Sequence, residues 1–203
     1  MVLATGADAG TGAVLEQAAG VLRAGGVVGF PTETFYGLGA AAFDRGAVAR
    51  VFALKGRPRD KPILVLVDSL AMVETVAADI PGAARALMDR HWPGPLTLVL
   101  RARPTLPGEL TAGTGTVGVR LSAHPVARGL VRALGQPVTA PSANPAGLPP
   151  PTTAAAVLEH FGGAIELVVD GGPTAGGAPS TVLDVTVDPP RIVRQGALRV
   201  AMP

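Results

Sequence analysis

The sequence contains no cysteine, and this absence excludes several kinds of site at once. Without thiols the chain can form no disulfide, hold no zinc ion through thiolates and use no cysteine nucleophile. Aromatic residues are almost as scarce, at 3% of the 203 residues. Proteins that bind single-stranded nucleic acid stack its bases on aromatic side chains, so this composition argues against such a function.

Long apolar runs and a leader pattern are also missing. No uninterrupted apolar segment approaches the roughly 20 residues that a membrane-spanning helix requires. Residues 1–12 lack the basic segment followed by an apolar segment that defines a signal peptide. We therefore expect a soluble protein of the cytoplasm that has no membrane partner.

Lysine is rare as well, and its two copies lie in one short segment. Lys55 and Lys61 flank Arg57 and Arg59 in residues 55–62, which also contain two prolines. Four cations on a stiff segment are typical of phosphate binding, although a solvated charged loop has the same composition. Because the net charge is only +2, a local positive site is favoured over a basic surface.

Helical and strand patterns alternate along the chain, which predicts a single α/β domain with a mixed parallel and antiparallel sheet and flanking helices. Apolar spacing and glycine stops predict helices at residues 11–24, 45–54, 69–78, 81–90, 124–134 and 152–161. Apolar runs predict strands at residues 27–30, 63–67, 96–100, 117–121, 138–140, 167–169, 181–185 and 192–194. Long loops are predicted at residues 101–115, 145–151 and 171–179.

Common catalytic and nucleotide signatures fit this chain poorly. A P-loop needs Gly-Lys-Ser/Thr after a glycine-rich turn, and neither lysine has that context. Residues 37–42 match the dinucleotide pattern G-x-G-x-x-A with Asp60 near the ribose-binding position, but residues 31–34 separate the glycines from the strand. Ser142 does not lie in a nucleophile elbow. The three histidines lack metal-ligand spacing, so no metal site is predicted.

Two other features point to a pocket for a small polar ligand. Residues 31–39 follow a predicted strand and combine hydroxyls, one carboxylate and glycines, which fits either a capped turn or a pocket floor. Arg120 lies within an apolar strand, where an unpaired cation is costly, so it is either an ion-pair partner or a carboxylate receptor. Ser180 and Arg194, at later strand edges, leave the same two alternatives open.

Together these segments resemble the YrdC/TsaC family, the threonylcarbamoyl-AMP synthases. The matching segments are residues 31–39, 55–62, 93–97, 117–121, 140–144, 170–173, 180–181 and 191–196. The resemblance covers residues 14–200, which implies one YrdC-like domain with a twisted mixed sheet after a short N-terminal extension, residues 1–13. The chain resembles the short, single-domain form of the family.

The resemblance implies a nucleotidyltransferase that converts L-threonine, bicarbonate or CO2, and ATP into threonylcarbamoyl-AMP and pyrophosphate. Its product serves the threonylcarbamoyladenosine (t6A) modification of tRNA. The implied partners are Mg²⁺ with ATP, a downstream tRNA threonylcarbamoyl-transferase and, weakly, RNA. Two alternatives remain open: a non-catalytic domain of the same fold that binds double-stranded RNA or tRNA by shape, and a carbamoyl-transfer module of a larger maturation enzyme.

The resemblance also implies roles for individual residues. The implied catalytic residues are Lys55 and Arg57. The implied nucleotide-binding residues are Arg57, Lys61, Thr116, Ser142, Asn144 and Arg194. The implied amino-acid-binding residues are Thr34, Arg120, Ser180 and the backbone at Ala140. The chain departs from the family pattern at Leu66, where some members have histidine, and at Pro150, where many have serine.

Overall fold

The computed structural model describes residues 1–5 and 9–200. In chain order its elements are β1 (Val2–Ala4), α1 (Ala9–Arg23), β2 (Val28–Pro31), β3 (Tyr36–Gly39), α2 (Arg45–Lys55), β4 (Val65–Leu66), α3 (Leu70–Val76), α4 (Gly82–His91), β5 (Leu96–Arg101), α5 (Gly108–Thr111), β6 (Thr116–Arg120), α6 (Pro125–Leu134), β7 (Val138–Thr139), α7 (Ala154–Phe161), β8 (Leu167–Asp170), β9 (Thr181–Asp184) and β10 (Arg191–Arg194).

The strands form two mixed sheets that meet along one edge. The four-stranded sheet has the order β1-β8-β2-β3, and the six-stranded sheet has the order β10-β9-β5-β6-β4-β7. Both contain parallel and antiparallel pairs. Isolated bridges between Gly37 and Ser142 and between Ala41 and Val138 join the two sheets at β3 and β7. The predicted fold class, an α/β domain with mixed strand directions and flanking helices, is confirmed.

Helix α6 shows how the apolar pattern directs packing. Its buried residues recur at the three- and four-residue spacing of one helix face: Val126, Ala127, Leu130, Val131 and Leu134. This face packs against α1, β2 and β4 in a common apolar cluster. Burying one such leucine contributes about 1.5–3 kcal/mol, so the face holds α6 against the sheets.

The end of α2 sets the course of the cationic segment. Asp44 caps the helix start by accepting a hydrogen bond from the Ala47 backbone N–H at 3.0 Å. Gly56 ends the helix in the left-handed region, with φ of 56°, a conformation that favours glycine. The chain therefore turns sharply between Lys55, which is the last helical residue, and Arg57.

Several elements differ from the sequence-based predictions. Strand β3 lies within residues 31–39, for which a capped turn or a pocket floor was expected, and β1 and α5 lie where an extension and a loop were expected. Strand β4 covers only two of the five predicted residues. Strand β1 pairs in parallel with β8, although it lies within the predicted N-terminal extension. The domain boundary at residue 14 stays a prediction. The described residues contain no helix that is long and apolar enough to cross a membrane.

Candidate functional site

A cleft of about 370 Å³ lies against one face of the six-stranded sheet. Side chains two residues apart point to the same face of a strand, and this period places cleft residues along three neighbouring strands. They are Thr97 and Val99 near β5, Thr116, Gly118 and Arg120 on β6, and Ser180 and Val182 at β9. The β2–β3 turn, residues 57 and 62–64, the segment after β7, and residues 179 and 193–194 complete the lining. The volume suits a small-molecule site.

Arg120 is an ion-pair partner, which is one of the two alternatives that the sequence left open, and it also lines the cleft. A role as carboxylate receptor stays a prediction. Its Nη2 lies 2.6 Å from Oε1 of Glu33, and its Nε donates to the same oxygen at 3.2 Å. Burial raises the pKa of Glu33, but the charge of Arg120 and hydrogen bonds from Ser122 and Arg120 outweigh it, so that the pKa lies below its ordinary value. Glu33 therefore carries its negative charge at neutral pH.

Arg194 lies on β10, at the edge of the same sheet, and donates to backbone oxygen. Its Nε and Nη2 donate to the Ser180 carbonyl oxygen at 3.2 and 2.8 Å. Burial lowers the pKa of its guanidinium, and the positive charges of Arg120 and Arg57 lower it further. The charges of Arg120 and Arg57 thus both act on Arg194 within a single cleft.

Arg57 fixes the turn in which it lies. Its Nε donates to the Lys61 carbonyl oxygen at 3.0 Å, and its Nη2 donates to the Pro62 carbonyl oxygen at 2.8 Å. Burial lowers the pKa of Arg57, and Asp60 opposes this effect. The turn brings Arg57 into the cleft lining, whereas the side chain of Lys61 is exposed and lies outside that lining.

Lys55 has a different environment from Arg57. It is only 4% exposed, and its Nζ donates to the carbonyl oxygens of Ser142 and Asn144 at 2.5 and 2.6 Å. Burial lowers the pKa of Lys55 to about 8, with a further contribution from the charge of Arg57. Lys55 lies outside the cleft lining and holds the segment that follows β7. A direct catalytic role for Lys55 stays a prediction.

The remaining predicted site residues also fall into two groups, those that line the cleft and those that lie outside it. Asn144 lies outside the lining, and its Nδ2 donates to the carbonyl oxygens of Pro145 and Leu148 at 2.9 and 2.7 Å. It shapes the loop beside the cleft. The cleft itself brings together most of the predicted set, namely Thr34, Arg57, Thr116, Arg120, Ala140, Ser142, Ser180 and Arg194.

Sequence reasoning missed the polar groups that support this set. Glu33 and Ser122 form a chain with Arg120, because the Ser122 hydroxyl donates to Oε2 of Glu33. Thr97 shares a hydrogen bond of 2.9 Å with the Ser180 hydroxyl. The sequence contained one indication of these groups: an arginine buried in a strand is costly unless a carboxylate from elsewhere in the chain pairs with it.

The two residues that depart from the family pattern, Leu66 and Pro150, both lie outside the cleft lining. Leu66 is 1% exposed and belongs to the apolar cluster around α1 and α6, so its side chain lies outside the cleft lining. Pro150 also lies outside the lining. Within residues 1–5 and 9–200, no group of three or more His, Asp or Glu side chains is placed to hold a metal ion.

A family model described as Sua5_yciO_yrdC, telomere recombination, matches residues 20–196. The chain belongs to the Sua5/YciO/YrdC family. The threonylcarbamoyl-AMP synthase of Pyrococcus abyssi is 49% identical over 181 residues, which cover 89% of this chain and 53% of that protein. The threonylcarbamoyl-AMP synthase of Bacillus subtilis is 45% identical over 185 residues, which cover 91% of this chain and 54% of that protein.

Structural similarity within the Sua5/YciO/YrdC family is equally close. The crystal structure of P. abyssi Sua5 complexed with L-threonine superimposes with a TM-score of 0.92 at 44% identity, covering 98% of this chain and 57% of that chain. This chain therefore spans about half the length of the curated relatives that it matches. The predicted family is confirmed, and its members include enzymes.

Proposed function

We propose that this chain is an L-threonylcarbamoyladenylate synthase, a nucleotidyltransferase that acts on L-threonine, bicarbonate or CO2, and ATP. The observation that carries the proposal is the convergence of Arg57, Arg120 and Arg194 in one cleft beside threonine and serine hydroxyls. Its substrates bear a carboxylate and a triphosphate, which both require such cations. The P. abyssi relative, whose structure contains L-threonine, supports the amino-acid half of the proposal.

The cleft offers complementary groups for both substrates. Arg120 suits the carboxylate of threonine, while Thr34, Ser180 and the Ala140 backbone suit its amine and hydroxyl. Arg57 and Arg194 suit the phosphates of ATP, with Thr116 and Ser142 nearby in the same lining. Mg²⁺ enters this proposal as part of the ATP substrate, because Mg²⁺ is commonly held by substrate phosphates and water.

The proposed chemistry relies on positioning and charge. The neutral threonine amine captures CO2 to form a carbamate and releases a proton to solvent. With bicarbonate it forms the same carbamate with loss of one water and no net release of a proton. A carbamate oxygen then forms a bond to the α-phosphorus of ATP, and the bond between that phosphorus and the bridging oxygen to the β-phosphorus breaks. Pyrophosphate leaves with both electrons of that bond. Holding the reactants in line can lower the barrier by about 7–11 kcal/mol.

The guanidinium groups of Arg57 and Arg194 would stabilise the leaving pyrophosphate. Its negative charge grows as the bond to the α-phosphorus breaks, and fixed cations in a partly buried cleft stabilise such charge without reorganising. Among the described residues, those that line the cleft include no carboxylate and no histidine, so the proposal uses no side-chain general base. The adenylate product would serve a downstream tRNA threonylcarbamoyl-transferase.

The experiment that tests this proposal is direct. Purified protein is incubated with ATP, Mg²⁺, bicarbonate and L-threonine, and the products are identified by mass spectrometry. We expect threonylcarbamoyl-AMP and pyrophosphate in equal amounts, and neither when threonine is omitted. A folded protein that binds threonine but makes no adenylate, while binding double-stranded RNA with steep salt dependence, would instead support the RNA-binding alternative.

A further inference from the structure

The three cleft arginines differ in whether a carboxylate balances their charge. Arg120 is paired with Glu33 at 2.6 Å. Arg57 and Arg194 donate to the backbone carbonyls of Pro62 and Ser180, which carry no net charge. Among the described residues, no ion pair involves either of these two arginines. Asp60 acts on Arg57 only at longer range.

Glu33 is held in place against Arg120. Its side chain is 18% exposed and lies outside the cleft lining. One carboxylate oxygen faces Arg120, and the other accepts a hydrogen bond from the Ser122 hydroxyl. The Ser122 hydroxyl in turn accepts a hydrogen bond from the His124 backbone N–H at 3.2 Å. Both oxygens are thus occupied, and Glu33 contributes its charge without occupying space in the cleft.

This difference in charge bears on a problem that the proposed reaction creates. A triphosphate and an amino-acid carboxylate must bind side by side, and any free guanidinium attracts the more highly charged anion more strongly. A guanidinium paired with a carboxylate has lost most of that advantage, yet it keeps N–H donors for another carboxylate. Within the described part of the chain, Nε of Arg120 donates to Glu33, whereas its buried Nη2, although in ion-pair contact with that carboxylate, has no hydrogen-bond acceptor, so donors remain there.

We propose that Glu33 is a specificity-determining residue that keeps polyphosphate away from Arg120 and thereby reserves Arg120 for the amino-acid carboxylate. The cleft then contains one balanced anion subsite, at Arg120, and one unbalanced subsite, at Arg57 and Arg194. This inference rests on the proposed function, since that function supplies the two anions. Glu33 acts through Arg120 and does not touch either substrate.

The first arm of the test uses the wild-type protein. Calorimetry measures the Kd for L-threonine without pyrophosphate and with saturating inorganic pyrophosphate, at constant ionic strength. We expect the two Kd values to agree within about twofold, because the two ligands occupy separate subsites. If both ligands bind but pyrophosphate displaces threonine from the wild type, the proposal that Glu33 keeps polyphosphate away from Arg120 is overturned. If neither ligand binds, the proposed function fails instead.

The second arm compares two variants. Glu33→Gln keeps the size of the side chain and removes its charge, so we expect pyrophosphate to raise the threonine Kd by about tenfold or more. Ser122→Ala removes a hydrogen bond to Glu33 but keeps the carboxylate charge, so we expect it to behave as the wild type. A folded Glu33→Gln protein whose threonine Kd is as insensitive to pyrophosphate as that of the wild type overturns the proposal. If Glu33→Gln does not fold, the wild-type arm decides.

Discussion

Nζ of Lys55 lies 2.6 Å from the carbonyl oxygen of Asn144, although 89 residues separate the two in the chain. A second bond reaches the Ser142 carbonyl, and the Lys55 carbonyl oxygen accepts from the Ala146 backbone N–H at 2.7 Å. Three hydrogen bonds thus fasten the end of α2 to the segment after β7. Since Ser142 lines the cleft, this connection couples the end of a helix to the cleft wall.

Replacing Lys55 tests this connection. Lys55→Met keeps the apolar stem of the side chain but leaves two carbonyls without their donor, which we expect to lower the free energy of unfolding by about 1–3 kcal/mol. Nucleotide affinity should fall with it, because the wall that contains Ser142 is released. Chemical denaturation and nucleotide titration measure the two effects. Lys61→Met is the control, since Lys61 is exposed, and equal losses in both variants would contradict the positional role of Lys55.

The pH dependence of stability offers a separate test of the same group. Burial, together with the charge of Arg57, lowers the pKa of Lys55 from 10.5 to about 8. Between these values the unfolded chain binds more protons than the folded chain, so stability rises with pH by up to about 1.4 kcal/mol per unit. We expect the stability of the wild type relative to Lys55→Met to rise from about pH 8 to about pH 10.5. If the difference in stability between the wild type and Lys55→Met stayed constant over that pH range, the lowered pKa of Lys55 would be contradicted.

Local patterns predicted the helices better than the strands. Helix α6 was expected at residues 124–134 and begins one residue later, because the His124 side chain accepts a hydrogen bond from the Val126 backbone N–H and caps the helix. Strand β3 was missed because Gly37 and Gly39 disfavour a strand when considered alone. Strand β3 is stabilised by antiparallel pairing with β2, and such pairing between two segments does not show in the local sequence pattern of either one.

The site shows the same division between local and long-range information. The apolar pattern of residues 117–121 was enough to place Arg120 within a strand, but its partner Glu33 lies 87 residues away, and only folding selects it. Lys55, Arg57 and Lys61 look alike in composition. The left-handed turn at Gly56 separates Lys55 from Arg57 and Lys61, because it ends the helix between Lys55 and Arg57. Sequence therefore indicated the cationic segment without indicating which of its cations reach the cleft.

Arg57 and Lys61 should contribute unequally to catalysis. Arg57 lines the cleft while Lys61 is exposed outside it, so Arg57→Ala should abolish threonine-dependent pyrophosphate release and Lys61→Ala should reduce it much less. A coupled pyrophosphate assay measures both, and threonine binding should persist in each variant. The sequence alone predicts loss of activity in both. Full activity in Arg57→Ala would contradict the phosphate assignment itself.

The Glu33–Arg120 pair allows stability to be separated from binding. Arg120→Gln leaves a largely buried carboxylate without its cation, which we expect to destabilise the fold by about 3 kcal/mol. Adding Glu33→Gln removes that unpaired charge, so the double variant should regain most of the lost stability. Threonine binding, measured by calorimetry, should stay lost in both, because the carboxylate receptor is absent. Recovery of threonine binding in the double variant would contradict the role of Arg120.

At Gly196 a single added methyl group should disturb the cleft by pressing on the backbone of residues that line it. A Cβ there would collide with the Pro179 carbonyl oxygen and lie 2.5 Å from the Ser180 carbonyl carbon. Both neighbours are backbone atoms of residues that line the cleft, so the cleft wall has to move, and the Ser180 carbonyl that accepts from Arg194 moves with it. We expect Gly196→Ala to lower the free energy of unfolding by about 1–3 kcal/mol and to weaken nucleotide binding.

The matched control for Gly196 is Gly20, an exposed glycine within α1, where an added methyl group would meet none of the described atoms within 4 Å. Gly20→Ala should stabilise the protein by about 0.5–1 kcal/mol, because alanine loses less backbone freedom in a helix, and should leave nucleotide binding unchanged. Thermal denaturation and nucleotide titration of both variants make the comparison. If Gly196→Ala proved as well tolerated as Gly20→Ala, the backbone at Pro179 and Ser180 would not be what holds Arg194 in the cleft.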